Sequence, residues 1–342
     1  MANTGSRADF GVILNHDLPE QEIPEILRGS TFLSAKENTA FIRLFESKEI
    51  LMDFLNAVLR LEGENTITEV EHRNRDLAVI YPSDDIVSVD VHAKTRMGKY
   101  IDVEMQKFGH THFKDRVVLY GAVMAAEAHR EELLSLEKRR RELSLQERYR
   151  MPKVYSIWIC ESASDGNKDY RDSWAIYRKS DIGNKDALPV SDVLNYIFIK
   201  LPKLKGAKDV PEREREWIDF IDNCGSRDEI PSNATGAIRD AYERLRIRRT
   251  PKEILERQAS IMYTRYDIDC CIDDAINEGL QKGLEQGRKL GIKQGIEQGR
   301  EEGLEKGLEK GIAKSLQTMR TLGIPEDKIA EVEKQLRTSE QH

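Results

Sequence analysis

Between Ile86 and Phe108 the chain alternates apolar and polar positions with a period of two. Val87, Val89 and Val91 alternate with Ser88, Asp90 and His92, and Ile101, Val103 and Met105 alternate with Asp102, Glu104 and Gln106. Successive strand side chains point to opposite faces, so each half reads as a strand with one apolar and one polar face. Arg96-Met97-Gly98-Lys99 separates the halves, and the pattern predicts an antiparallel hairpin turning there. Other stretches carry the helical period. A helix is expected after Ser34, with Phe41, Leu44 and Phe45 at helical spacing. A second carries Leu51, Phe54, Leu55, Val58 and Leu59 on one face, with Gly63 as its stop.

Residues 66–81 read as a first strand with a polar interruption. Beyond the hairpin, residues 113–143 are rich in good helix formers and predict one long helix. Residues 154–162, 173–177 and 196–201 are short apolar strands, the last ended by Pro202. This order gives a mixed α/β layer whose helix crosses from the hairpin to the next strand. From Pro211 the pattern is helical: Trp217 and Phe220 mark one apolar face, a second run covers 235–249, and Pro251 opens a third. The expected organisation is an irregular lead over 1–30, an α/β domain over 31–210, a helical extension over 211–275 and a repeat tail over 276–342.

In the tail a glycine falls at every fourth residue from Gly279 to Gly311, in three twelve-residue units beginning at Gly279, Gly291 and Gly303. Each helical glycine costs roughly 1 kcal/mol relative to alanine, so a lone helix is expected to be weak. A four-residue period drifts by about 40° per step around a helix, which excludes a heptad coiled coil. Two readings remain: close helix–helix approach in a homo-oligomer through small-xxx-small spacing, or a charged, partly helical spacer that packs little. The end, LGIPEDKIAEVEKQL, predicts a small separate helix with Pro325 in its first turn.

Composition narrows the function classes. Charged residues make up 34% of the 342 and hydrophobic ones 39%, with a net charge of −7. That balance argues against wholesale coating of nucleic acid and leaves room for a local basic surface. Two arginine-rich runs qualify, Lys138 to Arg141 and Arg244, Arg246, Arg248 and Arg249. Each fits either phosphate contact or a solvated helix face. The first residues, MANTGSRADF, lack the apolar core of a signal peptide, and no run of roughly 18 apolar residues occurs, so a cytoplasmic protein with no membrane partner is expected. Cys160, Cys224, Cys270 and Cys271 form no CxxC pair, which speaks against a zinc framework or a disulfide scaffold. No P-loop, dinucleotide fingerprint or GxSxG elbow is present.

The hairpin carries the candidate chemistry. Its polar faces can gather Asp90, Glu104 and Gln106 on one side. A carboxylate on one strand, with a carboxylate and an amide two residues apart on the next, fits a divalent-metal site; Mg²⁺ often takes only one or two carboxylates plus water and substrate phosphate. The same pattern also fits a half-exposed hairpin with an ordinary polar face. Asp102 is read as a solvated strand residue, His92 as a polar-face residue rather than a general base, and His110 and His112 as loop residues.

The ordered set TAFIRLFESKEILMDFLNAVL, VSVDVHAKTRMGKYIDVEMQKF, Arg116 and Tyr120, VYSIWICES, YIFIKLPKLKG and the Trp217–Phe220 pair resembles the recombination-promoting nuclease and putative transposase family of the PD-(D/E)XK nuclease superfamily. The resemblance covers the chain from about residue 30 onward, the glycine-repeat tail included. It implies a restriction-endonuclease-like mixed sheet flanked by helices, followed by a helical region and a helical tail. It also implies a Mg²⁺- or other divalent-cation-dependent DNA endonuclease linked to recombination or transposition. Asp90 and Glu104 would be the metal-binding catalytic carboxylates. Gln106 would stand where most of the superfamily has lysine and would orient the attacking water. Lys94, Lys107 and Arg116 would be candidates for the missing cation and for DNA contact. The family often has an acidic residue and a lysine in the first helix; here those places hold Asn38 and Ile42. Those departures and the long tail leave a second reading, a catalytically weak or inert oligomeric DNA-binding adaptor.

Overall fold

Two short helices, α1 (Asn38–Phe45) and α2 (Lys48–Val58), form where the helical period places them. Ser47 starts α2 by accepting the Ile50 amide on its hydroxyl at 3.3 Å. The helix ends at Val58 rather than at Gly63. The Leu61 amide bonds the Asn56 carbonyl and the Arg60 amide bonds that of Ala57, with Arg60 at φ 54°, in the left-handed position that usually holds glycine. This computed structural model describes residues 10–77, 87–107, 112–137, 144–162, 169–184, 186–234 and 236–338.

The single strand expected over 66–81 resolves into β1 (Val70–His72) and β2 (Asp76–Leu77), and residues 78–81 lie outside the described part. The hairpin turns at residues 96–99 as its pattern requires, with Gly98 at φ 74°. Its first strand, however, is broken at Asp90 into β3 (Val87–Ser88) and β4 (Val91–Thr95). β4 pairs with β5 (Tyr100–Gln106), whereas β3 pairs with β2 in a separate two-stranded sheet. The break reassigns the faces. Val87 and Val89 pack with Tyr100 and Met124, while Val91 packs with Ile101 and Val103 on the opposite side. The continuous apolar face expected for Val87, Val89 and Val91 does not exist.

The chain continues through α3 (Phe113–Glu137), α4 (Leu145–Tyr149), β6 (Val154–Cys160), β7 (Arg171–Ile176) and β8 (Ser191–Lys200). The main sheet has the order β1-β4-β5-β6-β8-β7. Its centre, β5-β6-β8, is parallel and its flanks are antiparallel, so it is mixed. α3 crosses from β5 to β6 over one face and buries Met124, Ala125 and Ala128 there; Gly121 lets it sit close, since a Cβ at that position would lie 2.4 Å from the Tyr196 hydroxyl. The other face is covered by α1, α2, α5 (Glu212–Asn223), α6 (Gly236–Arg244) and the first turns of α7 (Lys252–Thr321). Edge-on aromatic pairs join them: Phe54 with Trp217 at 5.7 Å and Phe220 with Tyr242 at 4.7 Å. Residues 211–263, expected as an extension, therefore share one core with α1 and α2.

The basic run after α6 is absorbed by the protein. Arg244 is buried and donates to the Arg43 carbonyl, Arg246 pairs with Glu243, Arg248 with Glu20 and Arg249 with Asp17. Lys138 to Arg141 lie outside the described residues.

Met1–Tyr263 form one compact unit and Thr264–His342 a second. In the second, the glycine repeat is helical throughout, and α8 (Glu326–Thr338) follows a turn at Gly323. Glu278–Lys282, Glu285–Lys289 and Glu302–Lys306 pairs add i,i+4 support, each worth a few tenths of a kcal/mol, against the glycine cost. Leu280, Leu284, Leu290, Ile292, Ile296, Leu304 and Leu308 are exposed, and among the described residues nothing beyond the helix's own backbone lies within 4 Å of where a Cβ on a repeat glycine would stand. Among the described residues, no helix is long and apolar enough to cross a membrane.

Candidate active site

The strand break places Asp90 opposite the end of β5. Val91 pairs with Val103, so Asp90 meets Glu104 and Met105. The ladder does not continue there. Instead, the Asp90 amide donates to Glu104 Oε1 at 2.8 Å, and the Met105 amide donates to Asp90 Oδ2 at 2.9 Å. Each carboxylate thus satisfies a backbone N–H of the other's strand. Asn38, at the start of α1, donates to Asp90 Oδ1 at 2.8 Å. The first helix contributes to the site after all, through an amide instead of a carboxylate.

From α3, Arg116 reaches over the pair. Its Nη2 lies 3.6 Å from Glu104 Oε2, and its Nη1 donates to Gln106 Oε1 at 3.4 Å. The guanidinium stacks 4.8 Å from the Tyr120 ring and 5.6 Å from the Trp158 ring, which fixes its plane. On the other side of Asp90 a pocket of about 370 Å³ opens, lined among others by Arg75, Asn74, His92 and Phe45.

Burial pushes the Asp90 carboxyl above its ordinary range, against the pull of the Met105 amide and Arg116. Glu104 is pushed well above its range, first by burial and then by the charges of Asp90 and Asp102. These are acids crowded without enough positive charge. Asp102 corrects the solvated reading. It is fully buried beneath α3, accepts the Ser156 hydroxyl at 3.0 Å, and burial raises it to about 8. Trp158 Nε1 in turn donates to Ser156 Oγ at 2.8 Å, and Asp102 Oδ1 meets no partner among the described residues.

The cation candidates separate. Arg116 is at the carboxylates. Lys107 lies at the end of β5 and pairs with Glu37 at 2.5 Å. Lys94 sits at the turn end of the hairpin, bonded to the Tyr100 hydroxyl at 2.6 Å and facing Glu131 and Glu132. His92 is buried and neutral, its pKa lowered by burial, with Nδ1 against the Asn74 carbonyl. His112 is exposed beside Asp115, and His110 lies outside the described residues. Sequence reading missed Asn38 as a partner of Asp90 and Trp158 as a wall for Arg116. The lone serine inside VYSIWIC was the available sign of a buried polar row.

The donor set fits a hard divalent cation. Asp90 and Glu104 keep second lone pairs on their oxygens, and a cation between them would offset the charge crowding. Among the described residues no three His, Cys, Asp or Glu side chains are placed to share one ion.

The family model of the PD-(D/E)XK nuclease family transposases matches residues 36–275, more than half of the chain. The protein belongs to this family. No curated protein and no solved structure matches it. The matched span of this PD-(D/E)XK nuclease-family transposase runs from just before α1, through the mixed sheet and α3, into α7. Membership makes nuclease chemistry on DNA the general expectation, and PD-(D/E)XK nucleases generally use divalent cations.

Proposed function

We propose that the protein is a metal-dependent DNA endonuclease acting in recombination or transposition, with its centre at Asp90, Glu104 and Gln106. The observation that carries this reading is the Asp90–Glu104 pair: two buried acids laced by reciprocal backbone bonds, with a stacked guanidinium above them. Mg²⁺ or a similar cation held by the pair would supply Lewis acidity toward the scissile phosphate and toward water. The chain's own groups do the rest. Asn38 and the Met105 amide fix the Asp90 carboxylate. Arg116 holds the Gln106 amide, which orients the water, and Arg116 meets the negative charge that develops on the phosphate. That cation takes the task lysine performs in most of the superfamily. Supercoiled plasmid should be nicked with Mg²⁺ and left intact with EDTA, and Asp90→Asn should abolish nicking. Equal nicking by parent and variant removes this site; no nicking by either leaves the DNA-binding adaptor as the function.

The tail is proposed to join copies of the chain. The exposed leucines and isoleucines that follow the glycines, beside backbone open to close approach, support this. Removing residues 279–342 should lower the number of chains per particle in light scattering while circular dichroism keeps the sheet signal. An unchanged number of chains refutes it.

A further inference from the structure

A second pocket, of about 650 Å³, lies on the same unit away from the carboxylates and is lined by Arg60, Tyr170, Arg171, Lys203 and Lys208, with Asp169 and Asp209 at its wall. Behind it, Glu214 is completely buried. Arg60 Nε donates to one of its oxygens at 2.7 Å, and Arg171 Nη1 donates to the other at 2.9 Å. The Tyr170 hydroxyl also reaches Glu214, at 3.4 Å. One carboxylate would be matched by one guanidinium; two guanidiniums fixed on it leave a positive charge in excess at the pocket wall, held in place before any ligand arrives. Lys203 and Lys208 bring two more positive charges and Asp169 and Asp209 two negative ones, so the net excess stays at one positive charge.

The backbone marks the same place. Among the described residues, the non-glycine residues with positive φ are Arg60 at 54° and Asp209 at 56°, and both line this pocket. Arg60 occupies the turn position after α2 where glycine costs the backbone least. Retaining an arginine there is explained by what its side chain does, and strained residues gather where a ligand is held.

The position relates the pocket to the proposed centre. β5, β6 and β8 are parallel and in register at Gln106, Cys160 and Lys200, so their C-terminal ends share one edge of the sheet. Arg171 pairs with Ile199, and Pro202, Lys203 and Gly206 follow directly from β8. Arg171 on β7 is level with Ile199, Ile159 and Met105, three strand spacings or about 14 Å from β5, a length over which one strand of a duplex rises through about four phosphates along its axis.

We propose that the Arg60–Arg171–Lys203–Lys208 pocket is a phosphate-binding site that takes a backbone phosphate of the DNA held at Asp90 and Glu104. In its DNA form this rests on the endonuclease reading above. A free nucleotide would offer the same phosphate chemistry, and the test separates the two sources. Arg60→Gly removes one charge and relieves the left-handed backbone; Lys208→Gln removes another from an exposed position. Binding of the full-length chain to a labelled duplex is followed by fluorescence anisotropy in EDTA over a range of salt. The double variant should lower the slope of log affinity against log salt by about 0.9, the share of one phosphate, and each single variant by part of that. In parallel, thermal melting is followed against dTMP. Slopes reduced in the variants, with melting indifferent to dTMP, establish DNA as the source. A dTMP-dependent rise in melting temperature that the double variant loses, with unchanged slopes, establishes a free nucleotide. Unchanged slopes and no dTMP effect overturn the site. Plasmid nicking by the parent separates this failure from that of the endonuclease reading: a parent that nicks with slopes indifferent to both variants loses only the pocket, and a parent that binds through it without nicking loses only the catalysis.

Discussion

Glu104→Gln should abolish metal-dependent nicking and at the same time make the metal-free protein harder to melt at high pH. Glu104 is buried beside Asp90 and two residues from Asp102 on the same face of β5, and its carboxyl titrates well above the ordinary range in the folded chain. The folded state therefore holds a proton that the unfolded state has released. Stability is unaffected below the ordinary glutamate range and falls as pH rises through the raised value. Glutamine keeps an oxygen to accept the Asp90 amide and has no proton to give up. The gap in melting temperature between variant and parent, measured in EDTA, should widen from pH 5 to pH 9 in the variant's favour. Gain in stability with loss of activity is the expected mark of a site strained for function. Parallel melting curves across that range would mean that Glu104 is not crowded as the structure has it.

The second large effect belongs to Asp102. It is fully buried and its carboxyl is raised to about 8, from an unfolded value near 3.8. The sign is the same: stability is complete below about pH 4 and is lost as pH climbs toward 8. The full loss is at most about 6 kcal/mol, since each unit of difference is worth about 1.4 kcal/mol. Asp102→Asn retains an acceptor for the Ser156 hydroxyl and removes the titration. At pH 9 it should raise the melting temperature by about 10 °C or more, because about 1 kcal/mol moves a domain of this size by several degrees. At pH 4 the two proteins should melt together. A variant less stable at both values would show that Asp102 is charged in the fold and compensated by a partner. The Glu104 and Asp102 substitutions should not add, because Asp102 is one of the charges that raises Glu104.

Much of this was legible in the sequence because periodicity reports on faces. The hairpin with its turn at Gly98 and the crossing helix follow from patterns of two and 3.6, and the strand at 154–160 and the second half of β8 follow from short apolar runs, while the start of β8 before Tyr196 was not legible. What periodicity does not report is which face meets water. Asp102 shares the alternating polar face, but α3 closes over that face, so it is interior. The break at Asp90 was illegible for another reason. It is made by two side chains replacing rungs of the ladder, and nothing in alternation distinguishes a carboxylate that bonds a neighbouring amide from one that points to solvent. Closeness in sequence is not closeness in space for Lys94, because a strand runs away from its start: Lys94 is four residues along from Asp90, at the turn end of β4 opposite Tyr100. Lys107 and Arg116 lie at the other end, where β5 and α3 bring chemistry together. The arginines after α6 looked like a phosphate surface because sequence shows charge without its partners, and Glu20, Asp17 and Glu243 come from elsewhere in the fold.

Asp90 and Glu104 are fasteners as well as the proposed metal ligands. Each holds a backbone amide of the opposite strand, so losing either acceptor loosens the end of the hairpin even in a chain that has no use for catalysis. Selection for folding alone would then preserve an oxygen at each position: aspartate at 90, where both oxygens accept, and glutamate or glutamine at 104. Descendants of this protein that had given up cutting DNA would still carry Asp90, and reading catalytic ability from its presence would count retired enzymes among working ones. The change that folding does not oppose is Glu104→Gln, and a glutamine there beside an intact Asp90 would be the mark of an abandoned activity.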